Sequence, residues 1–333
     1  MTSQRDAVLE GTLEAEQLHS ELNANTIARV PGTAVDIFSV IDSRGINLLF
    51  QKLGGLLGAY LNFNKRGILV TTERTLAIQR FTAAHELGHA VLNHRAGIDG
   101  DDILTRSPFG TQRYLPEEVA ADTFAAMFLM PEYLINEVAT RQRWDSASIQ
   151  QPAVIYQMAL RLGVSYEALV RTLTKYKILS ASRGRVVLDE EIKSIKRGLL
   201  GNRVLPPDWR CNIWELTERD AESVLIAEPN DFFVIRLREM SSAGYLWNVQ
   251  QAREAGFSIV ADERFLSAGS EIGSDVERRF TAQPTFTGQK DIRAVQSRPW
   301  DPDDIAEEFR VKFDIARPAI GFTLRHRMEV LAA

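Results

Sequence analysis

The sequence predicts an α+β chain, mostly helical with a small sheet at first and all-β toward the end. Three observations carry that reading. Apolar residues recur at helical spacing between residues 76 and 92 (Leu76, Ile78, Phe81, Ala84, Leu87, Val91, Leu92), and a second helical stretch runs between 116 and 130. After residue 212 the pattern switches to alternation. In "FRVKFDI", Phe309, Val311, Phe313 and Ile315 share one face, and Arg310, Lys312 and Asp314 share the other. Finally, 333 residues with 45% hydrophobic side chains are enough for two or three domains with sizeable cores.

Taken in order, residues 1–30 are rich in Glu and Leu and read as helix. Residues 35–43 form a second helix, stopped at Gly45, and 46–50 form a strand. "GLLGAYLNF" and "RGILVTT" follow as two strands parted by Asn64, Lys65 and Arg66, and "ILVTT" is expected to offer an edge to an extended peptide. "TLAIQRFTAAHELGHAVLNH" is a long helix. "LPEEVAADTFAAMFLMPEYLINEV" is another, with Pro116 near its start and Pro131 near its end. From Trp144 to Leu179 the pattern stays helical, broken at Gly163 and restarted by Ser165 as a cap. Residues 181–210, with Gly184, Gly198, Gly201, Pro206 and Pro207, read as a connector. Short strands at 232–238, 256–261, 278–283, 291–297 and 309–315 have the spacing of a sandwich or barrel. The expected domains are therefore 1–140, a helical segment with linker at 141–205, and a β module at 206–333.

Composition narrows the function. A net charge of −5 gives no global mark of a nucleic-acid binder. The single cysteine, Cys211, permits neither an internal disulfide nor a cysteine-rich metal site, and it fits a reducing cytoplasm. The polar start "MTSQRDAVLEGTLEAEQ" lacks the apolar core of a signal peptide, and no apolar run approaches the roughly 20 residues of a membrane helix. The expected location is cytoplasmic, with no membrane partner.

The chemistry concentrates in "RFTAAHELGHAVLNH". On a helix His85 and His89, four apart, lie on one face and can bind one ion through their imidazole nitrogens. Glu86 then stands where a general base acts on water, the H-E-x-x-H arrangement. Zinc is the default ion for nitrogen and oxygen donors with one open position, and it needs a third protein ligand. Glu118 and Asp122 are again four apart on the next helix. Glu118 can complete a His-His-Glu set, and Asp122 can accept the outer N–H of a ligand histidine. Glu117 is the rival ligand, about 100° away on the helix. His94 falls off the ligand face and reads as structural. Tyr114, in the loop before the second helix, is a candidate for steadying the oxyanion, with packing as the plain alternative.

These two stretches, "RFTAAHELGHAVLNH" and "EEVAADTFAAMFLMPE", resemble the ImmA/IrrE family of bacterial zinc metallopeptidases over residues 25–135. "IYQMALRLGVSYEALVRTLTKYKIL" resembles the helix-turn-helix-like segment that often follows in that family. The resemblance implies a zincin-like fold and a gluzincin-like site. One zinc ion would be held by His85, His89 and Glu118, with Glu86 as general base. It also implies a protein substrate, a co-encoded helix-turn-helix repressor whose cleavage switches on stress, mobile-element or phage-defence genes.

In the β module, "EMSSAGYLWNV", "GSEIGSD" and "QSRPWDPDD" are each expected in loops between strands. The set resembles the chagasin-type inhibitors of papain-like cysteine proteases, which have an immunoglobulin-like fold and present three such loops at one end. Gly244, Tyr245, Arg298, Pro299 and Trp300 match. Ser242 and Ala243 replace the usual Thr pair, and Glu271 and Ile272 depart from the Gly-rich loop. With Trp247 these residues have the composition of a protein-binding surface, against the alternative that Trp247 and Trp300 are core aromatics. The module would sense a signal, dock the substrate or cover the cleft. Cys211 reads as an inert thiol in preference to one that silences the metal.

The leading expectation is a zinc endopeptidase that cuts a regulatory protein. Two other classes stay open. One is a regulator that binds DNA through the 150–180 helices, disfavoured by their few basic residues (Arg161, Arg171, Lys175, Lys177) and by the acidic balance. The other is a chagasin-like inhibitor whose metal site is not catalytic.

Overall fold

A computed structural model describes residues 3–22, 34–62, 65–95, 97–99, 115–201, 204–266, 276–315 and 320–322. The chain divides into two compact units. The first comprises residues 1–138, 161–184 and 317–333, and the second comprises 139–160 and 185–316.

The first unit begins with α1 (Gln4–Glu21), opened by a reciprocal capping box between Ser3 and Asp6. Helix α2 (Ile37–Ser43) is capped by Asp36, whose carboxylate accepts from the Ser39 backbone N–H and hydroxyl, and the chain then turns at Gly45. Strands β1 (Asn47–Gln51), β2 (Gly58–Asn62) and β3 (Arg66–Thr71) lead into the long helix α3 (Leu76–Val91). After β4 (Gly97–Asp99) comes α4 (Pro116–Leu129), with Pro116 in its first turn, where a missing N–H costs nothing.

The sheet order is β13-β1-β3-β2-β4, where β13 is Gly321–Phe322. β1 runs parallel to β3, and β2 antiparallel to it. The segment "ILVTT" is thus a central strand, hydrogen-bonded on both sides, and cannot accept a peptide as an edge. The expectation failed because β1 pairs with β3 across the intervening β2, a non-local choice that local pattern does not reveal. The edge positions belong to β4 and β13.

Helices α3 and α4 pack face to face. Gly88 makes this possible: a Cβ there would lie 3.1 Å from Phe124 Cδ1 and 3.2 Å from Ala121 Cα. The small side chain of Ala121, whose Cα and carbonyl oxygen lie beside that position, keeps the interface thin. Helix α5 (Glu132–Gln142) follows, then α6 (Pro152–Leu162) and α7 (Tyr166–Lys175). The break at Gly163 has φ +65°, and Ser165 caps α7 by accepting from the Ala168 N–H.

Residues 181–210 are not a plain connector. They contain α8 (Ala181–Leu188) and α9 (Ile192–Leu200). The glycines suggested a break, yet Gly184 and Gly198 are helical. Such a glycine costs only about 1 kcal/mol, and burial of Ile195 and Leu200 on one side of α9 outweighs it.

The second unit is built on two four-stranded sheets. One has the order β5 (Ile213–Leu216), β7 (Phe232–Glu239), β10 (Val276–Pro284), β9 (Phe257–Leu266). The other has β6 (Val224–Ala227), β12 (Asp301–Ile315), β11 (Gly288–Arg298), β8 (Leu246–Asn248). Helix α10 (Gln250–Glu254) links β8 to β9. Phe233, Phe280 and Leu237 from the first sheet and Phe309, Val311 and Phe313 from the second share one apolar cluster, so the sheets form a sandwich. Phe309, Val311, Phe313 and Ile315 all point inward, as their alternation predicts. The fold is α+β: a helical N-terminal region with a small sheet, then a sheet-rich C-terminal region.

Asp231 is buried and accepts four hydrogen bonds, from both nitrogens of Asn212, from Trp214 Nε1 and from the Glu228 N–H. Burial outweighs those bonds and pushes its carboxyl up to about 6.

Candidate metal centre

Helix α3 is buried around most of its circumference, because the sheet covers one side and α4 the other. Its two histidines and Glu86 are therefore held away from water, with His85 and Glu86 at 0% exposure. One helical turn separates His85 from His89, and their Nε2 atoms face each other at 3.0 Å. Glu118, in the first turn of α4, approaches both. Its oxygens lie 3.5 Å from His85 Nε2 and 3.6 Å from His89 Nε2. Among the described residues, His85, His89 and Glu118 form the group able to hold a metal ion. Glu117 is exposed, so Glu118 is the carboxylate brought to the histidines.

The triangle fits an ion. Donors around a tetrahedral centre with bonds of about 2.0–2.2 Å lie roughly 3.3 Å apart, and the three edges here are 3.0, 3.5 and 3.6 Å. The outer nitrogens complete the fit. His85 Nδ1 is 2.8 Å from Asp122 Oδ1, so it carries the proton, and its Nε2 lone pair is directed inward. His89 Nδ1 lies 2.9 Å from His94 Nδ1. Two lone pairs 3.0 Å apart repel, and a shared cation removes that repulsion.

His94 is not among the residues grouped to hold an ion, and its ring contacts His89. A helical wheel does not show this contact, because α3 has already ended at Val91. Asn93 takes φ +56°, Leu92 N–H donates to Gly88 O, and His94 N–H donates back to His89 O at 2.9 Å. This is a Schellman turn, which folds residue 94 over the last turn of the helix. An asparagine just past the final apolar residue is the signal that could have found it. Burial holds the His94 imidazole below its ordinary value.

Gly58 of β2 lies beside Glu86. A Cβ there would meet Thr82 Cγ2 at 2.4 Å and Glu86 Oε1 at 2.7 Å. Tyr114 lies outside the described residues.

Of the basic residues on the 150–180 helices, Arg161 is buried, Lys175 reaches Met127 Sδ at 3.1 Å and Arg171 pairs with Glu167 of its own helix. Burial brings the Lys175 amine down to about 8.

In the second unit, "EMSSAGYLWNV" and "QSRPWDPDD" are not simple loops. Trp247 lies in β8, which pairs with β11 at 295–297, and residues 296–304 form the tip of the β11–β12 ribbon with its turn at Pro299 and Trp300. Short loops between long strands look the same in sequence as a hairpin end. The Gly-rich stretch 269–275 lies outside the described residues. Trp247 is a buried aromatic that donates from Nε1 to Arg238 O, whereas Trp300 is 72% exposed and covers Gly244. Tyr245 donates to Asp304 at 2.9 Å, and Arg298 stacks on the Tyr245 ring while pairing with the same carboxylate. The tip is thus locked by its own polar contacts while its tryptophan faces outward. Cys211 is buried with Ile213, Phe232 and Val234, and burial pushes its thiol up to about 11, as an inert cysteine requires.

Comparison with known proteins matches two stretches of the chain to families. Residues 41–174 match the IrrE N-terminal-like domain, and residues 227–315 match the chagasin family of peptidase inhibitors. The chain carries an IrrE-like domain followed by a chagasin-family domain. The IrrE-like domain is similar to the radiation response metalloprotease IrrE of Deinococcus radiodurans, 33% identical over 36% of this chain and 36% of that one. It is also similar to an uncharacterized immunity region protein of Bacillus phage phi105, 30% identical over 28% of this chain and 56% of that one. The chain thus spans about a third to a half of the length of these relatives. The chagasin-family domain is similar to a cysteine protease inhibitor from Entamoeba histolytica (24% identical, 33% of this chain and 100% of that one, TM-score 0.29). It is likewise similar to amebosin (24% identical, 32% of this chain and 98% of that one, TM-score 0.26). Among the described residues, no helix is long and apolar enough to cross a membrane.

Proposed function

We infer that the IrrE-like domain is a zinc endopeptidase acting in the cytoplasm on a regulatory protein. One observation carries the reading: two imidazoles with engaged outer nitrogens direct their Nε2 atoms, together with Glu118, toward one point, and Glu86 follows the first of them in sequence. When bound there, a zinc ion supplies Lewis acidity to a peptide carbonyl and to an attacking water. His85, His89 and Glu118 hold it, and Asp122 fixes the tautomer of His85. Glu86 takes the proton from the water and delivers it to the leaving amine. Its enclosure within α3, β2 and α4 strengthens the electrostatics of both transfers.

The named metalloprotease relative and the phage immunity-region relative support a substrate of regulatory type, a helix-turn-helix repressor encoded beside this gene. The chagasin-family domain senses a signal, docks the substrate or regulates the peptidase. The test is to incubate the purified chain with that repressor. Glu86→Gln should keep the zinc and abolish cleavage, whereas Glu118→Ala should lose the zinc and Glu117→Ala should not. Full cleavage by Glu86→Gln overturns the mechanism.

A second reading concerns the chagasin-family domain alone. The outward Trp300 on a locked ribbon tip supports protease inhibition. Titration of papain with the full chain and with Trp300→Ala decides it: inhibition lost in the variant supports the reading, and no inhibition by either removes it.

A further inference from the structure

We propose that His94 is a positioning residue for His89, matching through a neutral imidazole what Asp122 does for His85 through a carboxylate. The inference rests on the metal reading above and extends it to a residue outside the His-Glu-x-x-His motif. Two independent ties bind His94 to His89. The His94 N–H donates to the His89 carbonyl at 2.9 Å, and the two Nδ1 atoms lie 2.9 Å apart. The rings meet at 64°, with centroids 5.0 Å apart, and both residues are buried.

Proton placement follows from the geometry. Two ring nitrogens at that separation share one proton. His89 Nε2 is turned toward His85 and Glu118, so it must present a lone pair there. The proton of His89 is then on Nδ1 and is donated to His94. His94 accepts at Nδ1 and keeps its own proton on Nε2. The two ligand imidazoles are thereby unequal: His85 leans on a charged acceptor and His89 on an uncharged one. The Schellman turn at Asn93 is the device that delivers the acceptor, because it returns the chain over the helix end.

The test is the zinc dissociation constant of the full chain, measured by competition with a chromophoric chelator, with cobalt absorption as a second readout of ligand geometry. Removing a partner of this kind weakens binding by about 10–100-fold. His94→Leu should show that loss and an altered cobalt spectrum. His94→Asn, whose side-chain oxygen occupies nearly the place of Nδ1, should stay within a few-fold of wild type. Asn93→Gly tolerates positive φ and should bind normally. Asn93→Val opposes it and should lose affinity with both imidazoles intact. Far-UV circular dichroism confirms that each variant is folded, and the Asn93 pair decides if His94→Leu is not. Wild-type affinity in His94→Leu, or equal losses in His94→Leu and His94→Asn, overturns the proposal. Absence of zinc binding by the wild-type chain would instead sink the peptidase reading itself.

Discussion

Gly88→Ala is the sharpest test of how the two site helices are held together. The new methyl carbon would lie 3.1 Å from Phe124 Cδ1, 3.2 Å from Ala121 Cα and 3.3 Å from Ala121 O. Relaxed carbon contacts are about 3.5–4.0 Å, and two of these neighbours are backbone, so α4 must retreat by a few tenths of an ångström. Overpacking of this kind costs about 1–3 kcal/mol. The better helix propensity of alanine returns about 1 kcal/mol. The expected net is a destabilisation of about 0–2 kcal/mol. Glu118 lies one turn before Ala121 and moves with α4, whereas metal sites keep their ligand distances within about 0.2 Å. Zinc affinity should therefore fall about tenfold, or about 1.4 kcal/mol. Urea unfolding in a chelator measures the first effect, and chelator competition the second. A variant more stable by about 1 kcal/mol, with unchanged zinc affinity, would falsify the claim that this glycine sets the spacing of the helices.

Three further outcomes are expected. Gly58→Ala should keep zinc but lose about 100-fold in turnover, because its Cβ would displace Glu86 Oε1, now 2.7 Å from that position; equal turnover in zinc-loaded wild type and variant refutes it. Trp247→Ala should cost about 3–5 kcal/mol and Trp300→Ala less than about 0.5 kcal/mol in thermal unfolding, since only the first is buried; similar losses would contradict the assignment. Burial raises the Asp231 carboxyl from 3.8 to about 6, so the native state holds a proton that the unfolded chain has released in that interval. Stability must then fall as pH rises from about 4 to 6, by up to about 3 kcal/mol, and the unfolding free energy of Asp231→Asn should lack that slope.

Much of the arrangement was legible in the residues, for definite reasons. Helical arithmetic alone puts His85 beside His89, and Glu118 one turn from Asp122, because both pairs lie within unbroken helices. The strict alternation at Phe309–Ile315 likewise marks a half-buried strand. Legibility ended where contacts depend on something other than local period. The parallel pairing of β1 with β3 joins residues some 20 positions apart. His94 reaches His89 only through a left-handed residue after the helix end. Helices α8 and α9 form despite their glycines because of what they pack against, and the ribbon tip at Pro299–Trp300 differs from a loop only in the length of the strands behind it.

The pairing of Gly321–Phe322 with Phe50 and Leu49 has a topological consequence. The chain leaves the first unit, builds the β-sandwich, and comes home to a strand laid down at the start. The sandwich is thus spliced into its host, with both of its ends anchored there. A fragment stopped at residue 184 would lack the final rung of its own sheet. Dissection of the two units therefore calls for a circularly permuted or looped-out sandwich rather than a simple truncation.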